Sequence, residues 1–126
     1  MEKRIYYHDT DAGGVVYYAN YLKFLEEARV EFLERKGLSI ERCRQLGFWH
    51  AVRKCSATYK RPARYGDIII CDAALKKVTA AQIIFDQKIH DKKTGRLVLE
   101  AEVVLVSLNK DFKPVPIPEA VKALLM

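Results

Sequence analysis

The chain has 126 residues, of which 50% are hydrophobic and 30% are charged, and its formal net charge is +6. This length predicts one globular domain, residues 1–126, and the apolar content is too high for an intrinsically disordered protein. The longest uncharged apolar stretch, residues 103–108, is far shorter than the ~20 residues that cross a bilayer, which excludes a membrane-spanning helix.

The positive charge predicts an anionic partner, because nucleic acid, acidic lipid and phosphorylated cofactors all bind basic surfaces. Lysine and arginine are scattered along the chain in short pairs, such as those at residues 60–61 and 76–77. Nucleic-acid binders usually concentrate their basic residues in a stripe or a tail. A nucleic-acid or membrane-surface binder is therefore the least supported class.

The cysteines and the first residues together indicate the compartment. Cys43, Cys55 and Cys71 are odd in number and share no C-x-x-C spacing, which argues against a disulfide framework and against a zinc site. We predict that all three are unpaired and buried as small apolar side chains. Residues 1–5 lack the apolar core of a signal peptide, which predicts a cytoplasmic protein.

Three helices are predicted from apolar spacing and end signals. Apolar residues recur at helical spacing over residues 18–36, and Gly37 follows as a residue that readily ends a helix. Ser39 is a good N-cap for a shorter helix that reaches Gly47. Pro118 precedes a predicted C-terminal helix over residues 119–125.

Strands are predicted where apolar side chains recur at every second residue, in place of the helical spacing. Four runs read as strands, over residues 51–59, 67–78, 81–90 and 96–108, and residues 5–7 add one before the long helix. The connections are short, so we expect consecutive strands to pair antiparallel. One long amphipathic helix and one sheet predict an α+β fold in which the sheet curls around the helix.

The segment from Tyr7 to Tyr18 is the most informative for function. Its adjacent glycines, Gly13 and Gly14, permit close backbone approach, and the residues after them offer no side-chain oxygen to cap the helix. An uncapped helix start is a ready site for an oxyanion or a polarised carbonyl. The alternative is that Asn20 is the N-cap and that the glycines only turn the chain.

The same segment resembles that of a known enzyme family. Asp9, Asp11, Gly14, Val16 and Tyr18 follow the pattern D-x-D-x-x-G-x-V-x-[YWF], which leads into the long helix of hot-dog-fold acyl-CoA thioesterases. The chain is similar to the 4-hydroxybenzoyl-CoA thioesterase type, especially its Tol-Pal-associated branch, and the likeness continues through residues 20–33 and 59–67. The resemblance implies the hot-dog fold, a long central helix wrapped by a curved antiparallel sheet. It also implies hydrolysis of a short-chain or aromatic acyl-CoA to a carboxylic acid and free CoA.

The resemblance implies three catalytic residues. Asp11 is the position of the catalytic carboxylate, as nucleophile or as general base for a water. Tyr7 is expected to hydrogen-bond Asp11 or to orient water. Tyr18 stands where the branch commonly has histidine, and a phenol with a pKa near ~10 is a poor base, which puts a histidine-assisted mechanism in doubt. Backbone N–H groups around Tyr17 and Tyr18 are expected to polarise the thioester oxygen.

Residues for substrate binding follow from the same resemblance and from charge. The motif contributes Gly14, Val16, Tyr17 and Asn20, and basic residues at strand ends are candidates for the phosphates of CoA: Lys60, Arg61 and Lys77. We expect no metal, because no further carboxylate or histidine lies at a matching spacing from the D-x-D pair. Asp9 is expected to cap or pair locally. No cofactor is expected, since CoA is part of the substrate.

The resemblance also implies an assembly. Hot-dog subunits form a homodimer with the active site at the interface, and two dimers often form a homotetramer; an acyl-carrier protein is a further possible partner. An alternative function is a non-catalytic module that binds acyl-CoA or acyl-carrier protein and has kept the fold.

Overall fold

The structure is a computed structural model that describes residues 1–126. Its elements in chain order are β1 (Glu2–Arg4), a 3-10 turn (Tyr7–Asp9), α1 (Asn20–Arg35), α2 (Ile40–Gln45), β2 (Trp49–Tyr59), β3 (Ile68–Val78), β4 (Gln82–Asp91), β5 (Leu97–Leu108) and α3 (Glu119–Leu125). The predicted α+β class, the four long strands and all three helices are confirmed. None of the helices combines the length and the apolar character that a membrane span requires.

The five strands form one antiparallel sheet in the order β1-β3-β4-β5-β2. The prediction that consecutive strands pair is confirmed for β3, β4 and β5 and is wrong for β2. That strand pairs with β5, from Trp49 opposite Leu108 to Tyr59 opposite Leu99, so β2 and β3 lie far apart in the sheet. The turn residues between β2 and β3 reverse the chain without specifying a partner. The apolar run at residues 103–108 lies in β5, between two strands of its own chain, which leaves no free edge there for another subunit.

The first strand lies earlier than predicted. β1 spans Glu2–Arg4 and pairs with β3, whereas Ile5 is fully buried in the core and the next residues leave the sheet. The chain then forms the 3-10 turn, where the carboxylate of Asp9 accepts the Tyr6 backbone N–H at 2.9 Å. A carboxylate that caps a turn in this way breaks the strand pattern that residues 5–7 suggested.

α1 packs its apolar stripe against the sheet, where it joins two clusters of buried side chains. One cluster surrounds the first half of the helix at Tyr21, Phe24, Leu25 and Ala28, and the other contains Leu33. The helix begins at Asn20, two residues later than predicted, because residues 18 and 19 belong to the preceding turn. The sheet therefore covers one face of a single long helix.

A buried polar bridge connects α1 to the sheet inside this apolar core. Arg29 is 7% exposed and donates a hydrogen bond to Gln87 Oε1 at 3.0 Å. Gln87, on β4, is 1% exposed and donates through Nε2 to the Leu25 carbonyl at 3.0 Å and to the Asp72 carbonyl at 3.4 Å. Burial lowers the pKa of the Arg29 guanidinium from its usual range. Gln87 thus gives a buried cation its one hydrogen-bond partner and joins α1, β3 and β4.

The C-terminus of α1 requires a residue with a positive φ angle. Gly37 has φ of +81° and donates its N–H to the Glu34 carbonyl, while the Leu38 N–H reaches back to the Leu33 carbonyl. This pair of bonds is the Schellman arrangement, and the predicted end at Gly37 is confirmed.

We expect Gly37→Ala to lower the free energy of unfolding by about 1 kcal/mol, which corresponds to a fall in Tm of about 3 to 5 °C. A Cβ at this position would meet no atom within 4 Å, so the cost is conformational and not steric. Asparagine tolerates positive φ better than alanine, and Gly37→Asn should therefore lose less. Thermal unfolding of the three proteins measures this, and equal Tm values would contradict it.

The cysteines are unpaired, as predicted, but they are not all buried. Cys43 and Cys71 are buried and Cys55 is exposed on β2, so the prediction of burial is wrong for Cys55. Cys55 lies in the stretch of β2, residues 53–56, whose side chains are all exposed. Burial raises the pKa of the Cys71 thiol from 9.0 to about 12.

This raised pKa predicts a loss of stability at alkaline pH. The unfolded chain releases the Cys71 proton near pH 9, whereas the folded chain holds it until about pH 12, so the contribution is complete below pH 9 and declines across that window. The free energy of unfolding that is lost through Cys71 approaches ~4 kcal/mol at the upper end of this pH range. Denaturant unfolding at pH 8 and pH 10.5 should show a steeper decline for wild type than for Cys71→Ala. Equal declines would contradict the assignment.

Candidate active site

Asp11 lies in a tight turn that its own side chain helps to close. The Asp11 N–H donates to the Val15 carbonyl at 2.9 Å, and Thr10 pairs with Val16 as an isolated bridge. Gly14 has φ of +77°, a conformation that its missing side chain permits at low cost. Asp11 Oδ1 accepts the Gly13 N–H at 2.8 Å, and Oδ2 makes no hydrogen bond within the chain. The turn therefore holds one carboxylate oxygen in place and leaves the other open to a reactant at the surface.

Asp9 organises the same loop from inside. Its side chain is buried, and its backbone carbonyl accepts both the Tyr17 N–H and Asn20 Nδ2 at 3.0 Å. The expectation that Asp9 acts locally is confirmed. The Tyr17 N–H and one N–H of the Asn20 amide are thus used inside the loop, and contacts of Tyr17 and Asn20 with substrate stay predictions. The spacing of apolar residues in the helix could not predict these two bonds, because Asp9 lies before the helix.

Two backbone N–H groups next to α1 have no acceptor in the chain. These belong to Tyr18 and Ala19, and the Ala19 N-cap has no side-chain hydrogen bond. The expected uncapped helix start is confirmed, and the alternative in which Asn20 is the N-cap is wrong, since Asn20 is the first helical residue. Free N–H groups at the positive end of a helix dipole stabilise negative charge on an oxygen. Ala19, which the sequence did not single out, thus joins Tyr18 as a candidate donor.

A second segment, residues 59–67, holds the motif in place. The Val16 N–H donates to the Ala63 carbonyl at 2.8 Å, and Val15 pairs with Arg64. Val16 is only 3% exposed and belongs to the core cluster around α1. Val16 thus anchors the loop, and its contact with substrate stays a prediction. Gly14, by contrast, is exposed at the surface of the turn.

Exposed tyrosines surround the motif. Tyr7 is 82% exposed, and its ring lies 6.5 Å from the Tyr65 ring in an edge-to-face arrangement. The Asp11 side chain accepts only the Gly13 N–H, so it makes no bond with the Tyr7 hydroxyl. The predicted Tyr7–Asp11 bond is therefore not formed in the isolated chain, because the 3-10 turn directs the ring toward Tyr65. Tyr18 is 63% exposed, and its ring lies 5.0 Å from Tyr17 and 6.3 Å from Tyr59. This aromatic surface suits stacking against a planar ring.

The basic candidates divide into two groups. Lys60 and Arg61 follow β2 directly and are exposed, and Lys60 Nζ lies 3.7 Å from Glu100 Oε1. They lie within the segment that contacts the motif. Lys77 is near the opposite end of β3 from Ile68, a separation of about 30 Å along the strand, so it does not lie beside residues 59–67 of its own chain. Its contact with substrate stays a prediction. A lysine pair in a sequence gives no information about the end of the sheet at which it lies.

No group of three or more histidine, cysteine or acidic side chains is close enough to hold a metal ion. The site instead combines an oriented carboxylate with a free oxygen, two backbone N–H groups without acceptors and an aromatic surface. These groups suit attack on a carbonyl carbon while charge develops on its oxygen.

Comparisons with known proteins agree with this chemistry. The model of the Thioesterase-like superfamily matches residues 6–125. Acyl-CoA thioester hydrolase YbgC of Escherichia coli is 35% identical over 121 residues, which cover 95% of this chain and 90% of that protein. Acyl-CoA thioesterase YbgC of Haemophilus influenzae is 36% identical over 123 residues, which cover 95% of this chain and 88% of that protein.

A solved structure shows the same fold. A variant of 4-hydroxybenzoyl-CoA thioesterase in complex with 4-hydroxybenzoyl-CoA superposes with a TM-score of 0.91 at 21% identity, covering 100% of this chain and 96% of that chain. The fold predicted from the motif, with one long helix against a curved antiparallel sheet, is thereby confirmed as the hot-dog fold. The chain therefore belongs to the Thioesterase-like superfamily and is a hot-dog-fold enzyme of the acyl-CoA thioesterase class.

Proposed function

We propose that the protein hydrolyses a short-chain or aromatic acyl-CoA to a carboxylic acid and free CoA, with Asp11 as the catalytic carboxylate. The observation that carries this proposal is the Asp11 turn, where Oδ1 is held by the Gly13 N–H at 2.8 Å and Oδ2 has no partner in the chain. The same loop leads to the free N–H groups of Tyr18 and Ala19, which are suited to receive the thioester oxygen.

Two routes use these groups with the same net balance. In the first, Asp11 Oδ2 attacks the thioester carbon, the C–S bond breaks, CoA leaves as the thiol after taking up a proton, and water hydrolyses the resulting anhydride. In the second, Asp11 accepts a proton from a water whose oxygen attacks the same carbon, and the proton passes to the leaving sulfur. In both, the tetrahedral oxyanion is stabilised at the positive end of α1. Tyr18 contributes its N–H and an aromatic face, and we assign it no role as a base.

The surroundings of Asp11 support the proposed substrate class. The exposed rings of Tyr7, Tyr17 and Tyr18 suit contact with an aromatic or short aliphatic acyl group. Lys60 and Arg61 are exposed beside the loop and are proposed to bind the phosphates of CoA. An acyl group on a carrier protein presents the same thioester and is a second candidate donor.

We also propose that the chain acts as a homodimer joined through β2. This strand has only β5 as a neighbour, which leaves one row of its backbone groups unpaired, and Val52 on it is 50% exposed. A second copy that pairs with this edge completes the sheet on both sides of the symmetry axis. The family resemblance adds that two dimers form a homotetramer. The mass in solution, measured by light scattering, tests both, and a monomer at micromolar concentration would contradict them.

We place the protein in the cytoplasm. The three cysteines are unpaired, and one of them, Cys55, is exposed. Such cysteines suit a reducing compartment, where disulfides do not persist. Fractionation of cells that express the tagged protein tests this placement.

The activity is tested with a panel of thioesters. Acetyl-CoA, hexanoyl-CoA, palmitoyl-CoA, 4-hydroxybenzoyl-CoA and one acyl-carrier protein are incubated with the protein, and the released thiol is measured. We expect turnover of at least one short-chain or aromatic acyl-CoA and much less of palmitoyl-CoA. Absence of turnover on every thioester, with CoA binding retained, would contradict the proposal and favour a non-catalytic binding module.

A further inference from the structure

The carbonyl of Tyr18 depends on one side chain for its hydrogen bond. The Tyr59 hydroxyl donates to it at 2.9 Å, and no backbone N–H does so, because the Leu22 N–H donates to the Ala19 carbonyl instead. Over residues 17–19 this is the only hydrogen bond between the backbone and any side chain. The peptide that joins Tyr18 to Ala19 is thus fixed by Tyr59 from outside the loop.

Fixing this carbonyl also fixes a neighbouring donor. The peptide bond is planar and trans, so the Tyr18 carbonyl and the Ala19 N–H point in opposite directions from one rigid unit. When the carbonyl is held toward β2, the Ala19 N–H is directed away from β2. That N–H has no acceptor in the chain and lies at the positive end of α1.

Tyr59 is 46% exposed but is held by the sheet and by two aromatic neighbours. It is the last residue of β2 and pairs with Leu99 of β5 in the sheet. Its ring packs edge-on against Tyr21 at 5.7 Å and against Tyr18 at 6.3 Å. A phenol keeps its proton at neutral pH and can donate there, and desolvation raises the pKa of the Tyr59 hydroxyl further. The rigid sheet thereby reaches the loop through a fixed O–H group.

We propose that Tyr59 is a positioning residue for thioester hydrolysis, whose hydroxyl holds the Tyr18–Ala19 peptide so that the Ala19 N–H meets the oxyanion. This role rests on the proposed function, since the Ala19 N–H would meet a negatively charged oxygen only during thioester hydrolysis. Tyr59 does not contact the reacting atoms. A small rotation of the peptide would weaken an interaction that is strongest in the transition state and would leave ground-state binding almost unchanged.

The variant Tyr59→Phe removes only the hydroxyl and keeps the ring contacts with Tyr18 and Tyr21. On the best thioester of the panel we expect kcat to fall about tenfold or more, while KM and the Kd of a non-hydrolysable CoA thioether change less than about twofold. Tyr6→Phe is the matched control, because Tyr6 is 48% exposed against 46% for Tyr59 and its ring stacks on His8 and not on Tyr18. It should keep the wild-type kcat, and circular dichroism and Tm should show that both variants are folded.

An independent readout separates this inference from the proposed function. Backbone amide resonances in ¹⁵N-labelled protein should show a changed shift and faster exchange for Ala19 in Tyr59→Phe but not in Tyr6→Phe. An active wild type with the same kcat as Tyr59→Phe, or an Ala19 amide that does not respond, would overturn the positioning role alone. A folded wild type that hydrolyses no thioester would overturn the proposed function, and the catalytic use of Tyr59 with it.

Discussion

Asp11→Asn is expected to lose about 10³-fold in thioester turnover while it keeps the wild-type fold. Asparagine retains a side-chain oxygen that can accept the Gly13 N–H, the bond of 2.8 Å that closes the turn. The other carboxylate oxygen becomes an amide nitrogen, which neither attacks a thioester nor accepts a proton from water. The measurement is the steady-state release of CoA from the best substrate, together with Tm as evidence of folding.

The chain offers a closely matched control for this change. Asp91 closes the hairpin between β4 and β5 in a similar way, because its Oδ1 accepts the N–H groups of Lys93 and Thr94, both at 2.9 Å. Asp91→Asn therefore makes the same chemical change in a similar turn and should keep full activity. If Asp11→Asn retained activity within tenfold of wild type, the carboxylate would not be the catalytic group.

Gln87→Ala is expected to lower the free energy of unfolding by about 3 to 5 kcal/mol, a fall in Tm of about 10 to 20 °C. The substitution removes the one hydrogen-bond acceptor of the buried Arg29 guanidinium and the donor to the Leu25 carbonyl. A buried charge without a partner is costly, and the total stability of a domain of this size is only about 5 to 15 kcal/mol. Denaturant unfolding monitored by circular dichroism measures the loss.

Two further variants test the physical reason. Lys88 is the next residue on β4 and is exposed, so Lys88→Ala should change stability by less than about 0.5 kcal/mol. The double variant Arg29→Met with Gln87→Leu replaces the polar bridge by apolar side chains and should recover most of the loss. If Gln87→Ala alone were as stable as wild type, the bridge would contribute nothing to the fold.

The local elements were predictable because their signals lie within a few residues. The alternation of apolar side chains predicted β2 to β5 within two residues at each end, and Gly37 marked the end of α1. The pairing of β2 with β5 was not predictable in this way, because its partner lies in a distant part of the sequence. The position of β1 was predicted too late in the chain, because the aromatic residues 6 and 7 are typical of a strand. The Asp9 carboxylate instead caps a 3-10 turn there.

The same distinction applies to the candidate site. Asp11 and the glycine turn followed from local backbone chemistry and from the motif, and the uncapped helix start followed from the absence of a capping side chain. The hydrogen bonds of Val16, Tyr17 and Asn20 were not predictable, because they reach Ala63 and Asp9 and not their sequence neighbours. Tyr59 was absent from the predicted site, since nothing in the sequence near it shows that its hydroxyl reaches the Tyr18 carbonyl, 41 residues earlier.

The position of β2 also has a consequence for the order in which the protein folds. β3, β4 and β5 are joined by short turns and pair with their neighbours in sequence, whereas β2 must close a long loop to reach β5. We expect the three-stranded meander to form early and β2 to dock late. Tyr59 and Ala63 fix the loop that contains Val16 and Tyr18 only after that docking. Recovery of enzymatic activity during refolding should therefore lag behind recovery of strand structure, which makes activity a stringent measure of complete folding.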